Sequence, residues 1–156
     1  MPRMLSREWQ LPNGGFLLVG DNVIENVSRY RQSEPNHTEA GGILLGYRRG
    51  PHLEILLATE PSPQDIRRRT FFERCDPSHQ LLAGRAWGAD PYMHYLGEWH
   101  THPELSPVPS ALDRREWSAL GRRWSDESLV MIIVGQGGSW VGLQFGTQCR
   151  TLVAVI

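Results

Sequence analysis

The sequence of 156 residues is poor in cysteine, in long apolar runs and in net charge. Its two cysteines, Cys75 and Cys149, form no C-x-x-C pair and no disulfide framework, so we expect both to be ordinary reduced thiols. The longest apolar run, Leu129–Val134, is far too short to span a bilayer. The opening residues MPRMLSREWQ lack the apolar core of a signal peptide. These absences predict a cytoplasmic protein with no membrane partner.

The charge balance bears on nucleic-acid binding. The formal net charge is −1, whereas dedicated nucleic-acid binders are usually strongly basic, so we expect no nucleic-acid partner. Arginines do cluster locally, at Arg48, Arg49, Arg67, Arg68 and Arg69. Such runs more often form a solvated face than a binding site.

With no repeat and no dividing linker, the length fits one domain over residues 1–156.

Hydrophobic patterning predicts an α/β domain, with a mixed β-sheet flanked by helices. Helices are expected over residues 21–31 and 76–87, and a third should start at Ser110. The dipeptide Asp76-Pro77 is typical of a helix start, with aspartate at the cap and proline at the first helical position. The predicted strands are GFLLVG, GGILLGYR, HLEILLATE, RRRTFFERC, HYLGEWH, SLVMIIVG, SWVGLQF and CRTLVAVI, and GQGGS is expected to form a tight hairpin.

Residues 97–113, GEWHTHPELSPVPSALD, join a strand end, a proline-rich loop and a helix start. His100 and His102 occupy alternate strand positions, so both imidazoles can face one point. Asp113 lies in the first helical turn, where a carboxylate is favoured. Two imidazoles and one carboxylate suit a single Zn²⁺ with a fourth position open for water. Zinc lowers the pKa of such a water to about 7, so the pattern predicts a catalytic zinc site.

A hydrolytic zinc site also needs a proton acceptor, and the sequence offers two glutamates. Glu39 lies where a polar loop enters an apolar strand, an unfavourable place for a carboxylate without a partner. Glu98 is closer in sequence and has the same strand parity as His100. Spacing alone does not choose between the two glutamates. Ser110-x-x-Asp113 likewise fits a helix capping pair, which judged alone is the favoured interpretation of the serine.

The motif as a whole resembles the JAMM motif of the MPN-plus (Mov34/PAD-1) metallopeptidases. That motif combines a glutamate, here Glu39 in EAGGILLG, with H-[ST]-H-P, here HTHP from His100. It ends in S-x-x-D, here Ser110 and Asp113 at the family spacing. GEWHTHP is most similar to the prokaryotic JAB branch. The predicted element order also fits the JAB/MPN, cytidine-deaminase-like fold of that family.

The resemblance implies a role for each motif residue. His100, His102 and Asp113 would hold one Zn²⁺ per chain. Glu39 would bind the zinc water and pass its proton to the leaving amine, and Ser110 would donate a hydrogen bond to the oxyanion.

The resemblance also implies a substrate, usually the isopeptide that joins the C-terminus of a ubiquitin-like protein to a lysine. The short chain has little room for insertions and is similar to compact bacterial members found with ubiquitin-ligase-like enzymes. Expected partners are therefore a ubiquitin-like tail or its conjugate, a ubiquitin-activating or conjugating-type enzyme, and a nucleotidyltransferase of CBASS antiphage operons.

Three other functions stay open. A JAMM peptidase that processes a sulfur-carrier protein would use the same catalytic residues. A catalytically silent MPN-type binding module would keep the fold, although such members typically lack part of the motif and this chain lacks none. Nucleic-acid work, as in DNA-repair-associated relatives, would depend on the clustered arginines.

Overall fold

The structure, a computed structural model, describes residues 5–156, so residues 1–4 of the predicted domain lie outside it. The described chain forms three helices, α1 (Asp21–Ser28), α2 (Ser78–Ala89) and α3 (Ala111–Arg123). No helix in this range is long and apolar enough to cross a membrane. The strands are β1 (Glu8–Gln10), β2 (Phe16–Val19), β3 (Gly41–Arg49), β4 (His52–Ala58), β5 (Ile66–Arg68), β6 (Phe71–Glu73), β7 (His94–Thr101), β8 (Leu129–Val134), β9 (Ser139–Phe145), β10 (Gln148–Thr151) and β11 (Val153–Ala154).

Nine of these strands form one mixed sheet in the order β10-β9-β8-β7-β3-β4-β2-β1-β11. The β7–β8 and β2–β4 pairs are parallel and the other pairs are antiparallel. Helix α1 packs on one face through Val23 and Val27, and α3 packs on the other through Trp117. The predicted mixed sheet flanked by helices is therefore confirmed.

Strand β8 explains why the sequence contains an unbroken apolar run. Val130, Ile132 and Val134 belong to the larger core cluster, whereas the alternate residues of the strand belong to the cluster under α3. All six residues are fully buried because both faces of the central strand are covered. β8 thus supplies a rigid neighbour for β7, the strand that carries the histidines.

The C-terminal segment closes the sheet on itself. CRTLVAVI was predicted as one strand, but its two halves pair with opposite edges of the sheet: β10 with β9, and β11 with β1. Between them, Leu152 is buried in the core and its N–H donates to the carbonyl of Val141. Because a single residue separates β10 from β11, the two edges of the sheet are joined at Leu152.

The segment between β4 and β7 differs most from the sequence prediction. RRRTFFERC forms a hairpin of two short strands, β5 and β6, which make a separate two-stranded sheet. Helix α2 begins one residue later than expected, because Pro77 takes the cap position while Asp76 accepts a hydrogen bond from the Ser78 N–H. The short strand β1 was not predicted, since three residues carry too little pattern.

Helix α2 is attached to the sheet through a buried polar chain. His79 is the buried residue of this helix, and its Nε2 lies 2.6 Å from Asp65 while its Nδ1 lies 2.5 Å from the Thr59 hydroxyl. The same hydroxyl accepts the N–H of Ile43 in β3. The chain Asp65–His79–Thr59 therefore ties α2 and the β5–β6 hairpin to the central strands.

Replacing the buried carboxylate, Asp65→Asn, is expected to destabilise the fold by about 3 kcal/mol near neutral pH, since it removes one partner of a buried pair. Burial raises the pKa of Asp65, but hydrogen bonds from His79 and from backbone N–H groups outweigh it, and the net pKa is lowered. A lowered folded pKa gives stability that is complete above the unfolded value of about 3.9 and is lost as pH falls through the folded value.

Urea unfolding measured from pH 7 to pH 3 tests this prediction, and the difference between the Asp65→Asn variant and wild type should shrink below about pH 4. Asp76→Asn is the matched control, because Asp76 also accepts backbone N–H groups but lies less deeply in the fold. A loss under 1 kcal/mol for Asp65→Asn, the usual scale of one neutral hydrogen bond, would contradict a structural role for the pair.

Candidate metal centre and catalytic cleft

The end of β7 brings two imidazoles to one point. His100 lies between Gly41 of β3 and Ile133 of β8, and His102 continues the ladder by donating its N–H to the carbonyl of Val134. The two side chains emerge on the same side, and their Nε2 atoms are 3.0 Å apart. Pairing on both sides of β7 fixes the backbone of His100, and the bond to Val134 fixes that of His102.

The first turn of α3 brings a carboxylate to the same point. Asp113 Oδ1 lies 3.2 Å from His100 Nε2, and Oδ2 lies 3.2 Å from His102 Nε2. The carboxylate is also held by a capping box, in which Asp113 Oδ2 accepts the Ser110 N–H at 2.8 Å and the Ser110 hydroxyl accepts the Asp113 N–H at 3.0 Å. The predicted capping pair is therefore confirmed, and the capped turn directs the Asp113 carboxylate toward both histidines.

The charges of this cluster favour a cation. Burial raises the pKa of Asp113, but hydrogen bonds from the two histidines lower it further, so the net pKa lies well below the usual range. Burial lowers the pKa of His102, but the hydrogen bond to Asp113 and nearby carboxylates raise it more. The cluster thus stabilises positive charge beside an ionised carboxylate. A bound cation would supply that charge in place of a proton.

The donor set fits a metal ion. Two imidazole nitrogens and one carboxylate oxygen lie within 4.8 Å of one another, and the nearest pairs are 3.0–3.2 Å apart. Donors bound tetrahedrally at about 2.1 Å are separated by roughly 3.4 Å, so only a small expansion is needed. The three residues predicted from sequence as ligands are brought together, with one side open to the cleft.

Glu39 lies at the entry to β3 and lines the same cleft as the side chains of His100, His102 and Asp113. Burial raises the pKa of its carboxyl to about 7, against a lowering by His102. Its backbone is fixed by β5: the Glu39 N–H donates to the Arg68 carbonyl at 2.7 Å, and Arg67 Nε donates to the Glu39 carbonyl at 2.9 Å. A carboxyl on a fixed backbone, with a pKa near neutrality, can accept and return a proton.

Glu98, the second candidate for the proton acceptor, has a different partner. It also lines the cleft, but its Oε1 accepts a hydrogen bond from Arg74 at 2.8 Å. The ion pair joins the central strand β7 to the end of β6. This arrangement favours a structural role for Glu98.

A buried glutamine organises the surroundings of the site and was not found from sequence. Gln32 accepts a hydrogen bond from the hydroxyl of Thr101, between the two histidines, and donates to the carbonyls of His37 and Arg69. Its own carbonyl accepts from Gln136 at 2.9 Å. A single uncharged residue far from the motif carries no sequence signal, although its burial is complete.

The cleft has a volume of about 500 Å³ and lies between the β5–β6 hairpin and α3. Phe71, Phe72 and Glu73 of β6 form one wall, and Leu112 and Glu116 of α3 form the other. Within the described chain, β6 pairs only with β5, so its outer edge lies open along this wall. The cleft thus contains both the His100, His102 and Asp113 group and the open edge of β6.

Most of the clustered arginines are engaged inside the molecule. Arg48 pairs with Glu127 at 2.9 Å, and Arg49 pairs with Glu54 at 3.1 Å. Arg67 binds the carbonyl of Glu39, and Arg69 binds carbonyls of the preceding loop. These contacts weaken the nucleic-acid alternative, because four of the five arginines already serve the fold.

Comparison with known proteins places the site in a family context. Residues 22–145 match the family model described as prokaryotic homologs of the JAB domain. A relative from Vibrio cholerae, named CD-NTase/cGAS isopeptidase, is 40% identical over 130 residues, with 81% of each chain covered. A relative of the same name from Escherichia coli is 36% identical over 137 residues, covering 87% of this chain and 86% of the relative.

A solved structure shows the same fold. The solution structure of a Desulfitobacterium hafniense protein superimposes with a TM-score of 0.63 at 24% sequence identity. The match covers 90% of this chain and 91% of that one. The arrangement of strands and helices is therefore shared along nearly the whole length.

Proposed function

This chain belongs to the prokaryotic JAB-domain family, and on that premise we propose that it is a zinc-dependent isopeptidase that reverses protein conjugation. The reaction is hydrolysis of the amide between the C-terminus of the conjugated protein and an amine of its target. The observation that carries the proposal is the convergence of two imidazole Nε2 atoms and the Asp113 carboxylate, with nearest distances of 3.0–3.2 Å, in the cleft that also contains Glu39.

His100, His102 and Asp113 would hold the ion. Zn²⁺ bound there supplies a Lewis acid and an acidified water. Glu39 accepts the proton of the attacking water at its carboxylate and returns it to the leaving nitrogen, which turns a poor leaving group into a neutral amine. Glu39 is buried, which limits the access of bulk water to its carboxyl.

Ser110 would stabilise the oxyanion. Its hydroxyl oxygen accepts the Asp113 N–H in the capping box, so the hydroxyl proton is left to donate elsewhere. Ser110 also lines the cleft beside the ligand cluster. A hydroxyl donor at this place would support amide attack by stabilising the developing negative charge.

The C-terminal tail of the substrate would lie along β6. An extended peptide gains affinity by adding a strand to an open edge. The backbone of β5 is already bonded to Glu39 through Arg68, whereas β6 faces the cleft. Pairing with β6 would bring the scissile amide close to His100, His102 and Asp113, which line the same cleft.

The names of the relatives suggest which protein is removed. They are called CD-NTase/cGAS isopeptidases, and we extend that activity to this chain: the conjugated protein is a CD-NTase nucleotidyltransferase. The ubiquitin-like tail expected from the motif is the competing substrate, and a sulfur-carrier protein is the next. A nucleotidyltransferase conjugate would place the enzyme in the cytoplasm, beside the activating and conjugating-type enzymes that form it.

The wild-type enzyme is expected to cleave a CD-NTase conjugate at the single amide after the CD-NTase C-terminus, with about one zinc per chain. Chelation should abolish cleavage and one equivalent of Zn²⁺ should restore it. Mass spectrometry of the products identifies the bond, and matched fusions to a ubiquitin-like and a sulfur-carrier protein compare substrates. Full activity after verified zinc removal would refute the mechanism, and cleavage of the sulfur-carrier fusion alone would replace the substrate.

A further inference from the structure

The ring of His102 is bonded on the side that faces away from the ligand cluster. Its Nδ1 lies 2.8 Å from Glu104 Oε1, while its Nε2 lies 3.2 Å from Asp113 Oδ2. We propose that Glu104 is a positioning residue that sets the tautomer and orientation of His102 for metal binding. The inference rests on the proposed zinc site and adds to it a residue outside the motif.

The tautomer follows from the chemistry of the pair. An ionised carboxylate only accepts hydrogen bonds, so the proton of neutral His102 must lie on Nδ1 when it is bonded to Glu104. The lone pair then lies on Nε2, the atom that is 3.0 Å from His100 Nε2. With the opposite tautomer, Nε2 would carry a proton and could not bind a metal. Metal-binding histidines are commonly held in this way by a carboxylate on the far ring nitrogen.

Glu104 is itself held by the turn between β8 and β9. Its carbonyl accepts the N–H of Gln136 at 2.7 Å, and the next carbonyl, of Leu105, accepts the N–H of Gly137 at 3.0 Å. A Cβ at Gly135 would lie 2.6 Å from the Glu104 carbonyl oxygen and 2.5 Å from Cδ of Pro107. The turn must therefore keep a glycine there to approach the loop so closely.

Glu104 does not belong to the ligand set. It contacts the nitrogen of His102 that points away from His100 and Asp113, so it cannot reach the same ion through that contact. Its side chain is 47% exposed, and water competes for the hydrogen bond. Loss of such a partner typically costs 10- to 100-fold in metal affinity. Because Glu104 is partly exposed, we expect a loss at the lower end of this range, about tenfold.

Zinc affinities of three variants distinguish the effect of the Glu104–His102 hydrogen bond from the effect of negative charge in the cleft. Competition with a chromophoric chelator should show about tenfold weaker binding for Glu104→Ala, as estimated for loss of the whole partner. Glu104→Gln should fall between Ala and wild type, because the amide oxygen still accepts from Nδ1–H. Glu116→Gln is the matched control: it removes a negative charge from the same cleft without contacting either imidazole. Nitrogen-15 shifts of the zinc-loaded protein should report protonated Nδ1 on His102 in wild type.

Three results would overturn the inference. Wild-type zinc affinity in Glu104→Ala would remove any positioning role while the zinc site stands. Equal losses in Glu104→Ala, Glu104→Gln and Glu116→Gln would reduce the effect to overall charge. A wild-type protein that binds no zinc would refute the proposed function, and this inference with it. Thermal unfolding of the zinc-free variants should match wild type, since the side chain contributes to the site and not to the core.

Discussion

Glu39→Gln is expected to bind zinc as the wild type does and to lose nearly all cleavage of the conjugate. Glutamine has the shape of glutamate but cannot accept a proton, and a positioned acid–base residue contributes about 10²–10⁴-fold to rate. The fold should survive, because the side chain is buried and burial raises the pKa of its carboxyl to about 7, so the neutral form already fits this place. Substrate binding should also persist, and the variant should trap the complex.

The measurement pairs zinc content with single-turnover cleavage, and Glu98→Gln is the control. Glu98 lines the same cleft but is bonded to Arg74 at 2.8 Å, so its change should cost far less rate. Zinc-loaded Glu39→Gln that turns over normally, beside an inactive and zinc-loaded Glu98→Gln, would transfer the acceptor role to Glu98.

His100→Ala is expected to lose most of its zinc at micromolar concentration. Zinc-finger peptides bind structural zinc by about 10–16 kcal/mol; on that scale one of three ligands represents about 3–5 kcal/mol, or roughly 10²–10⁴-fold in affinity. The remaining pair, His102 and Asp113, would leave two positions open to water. Cleavage should fall with the zinc and should not return at moderate excess of the metal.

His94→Ala is the control for this variant, because it removes an exposed imidazole from the same strand β7. Metal analysis after gel filtration, together with thermal unfolding, separates loss of the ligand from loss of the fold. The ring of His100 lies 6.1 Å from that of Trp117, so a small loss of packing is expected. Full zinc retention in His100→Ala would remove this residue from the ligand set.

The parts of the site that could be predicted from spacing are local. His100 and His102 share a face because strand side chains alternate, and Ser110 with Asp113 forms a capping box within one turn. Glu39 is different, since it reaches the cleft through the pairing of β3 with β7, in which Gly41 lies opposite His100. Residue spacing left Glu39 and Glu98 open, and only the family pattern favoured Glu39.

The supporting residues could not be predicted, for a physical reason. Glu104 and Gln32 act through side-chain hydrogen bonds whose partners are set by loop geometry. The β5–β6 hairpin turns at Arg69 and Thr70, which lack the glycine or asparagine of common two-residue turns. Strand content in CRTLVAVI was predicted correctly, but the change of partner at Leu152 depends on the tertiary arrangement.

The closed sheet also bears on how the protein behaves at high concentration. Exposed strand edges are templates for polymerisation, and proteins protect them by shortening or covering. Here the two edge strands, β10 and β11, are only four and two residues long and are joined directly through Leu152. Two copies therefore find little edge on the main sheet of residues 5–156 to join. The strand edge that remains in the cleft can be kept for a foreign peptide, so recognition by strand addition need not lead to self-aggregation.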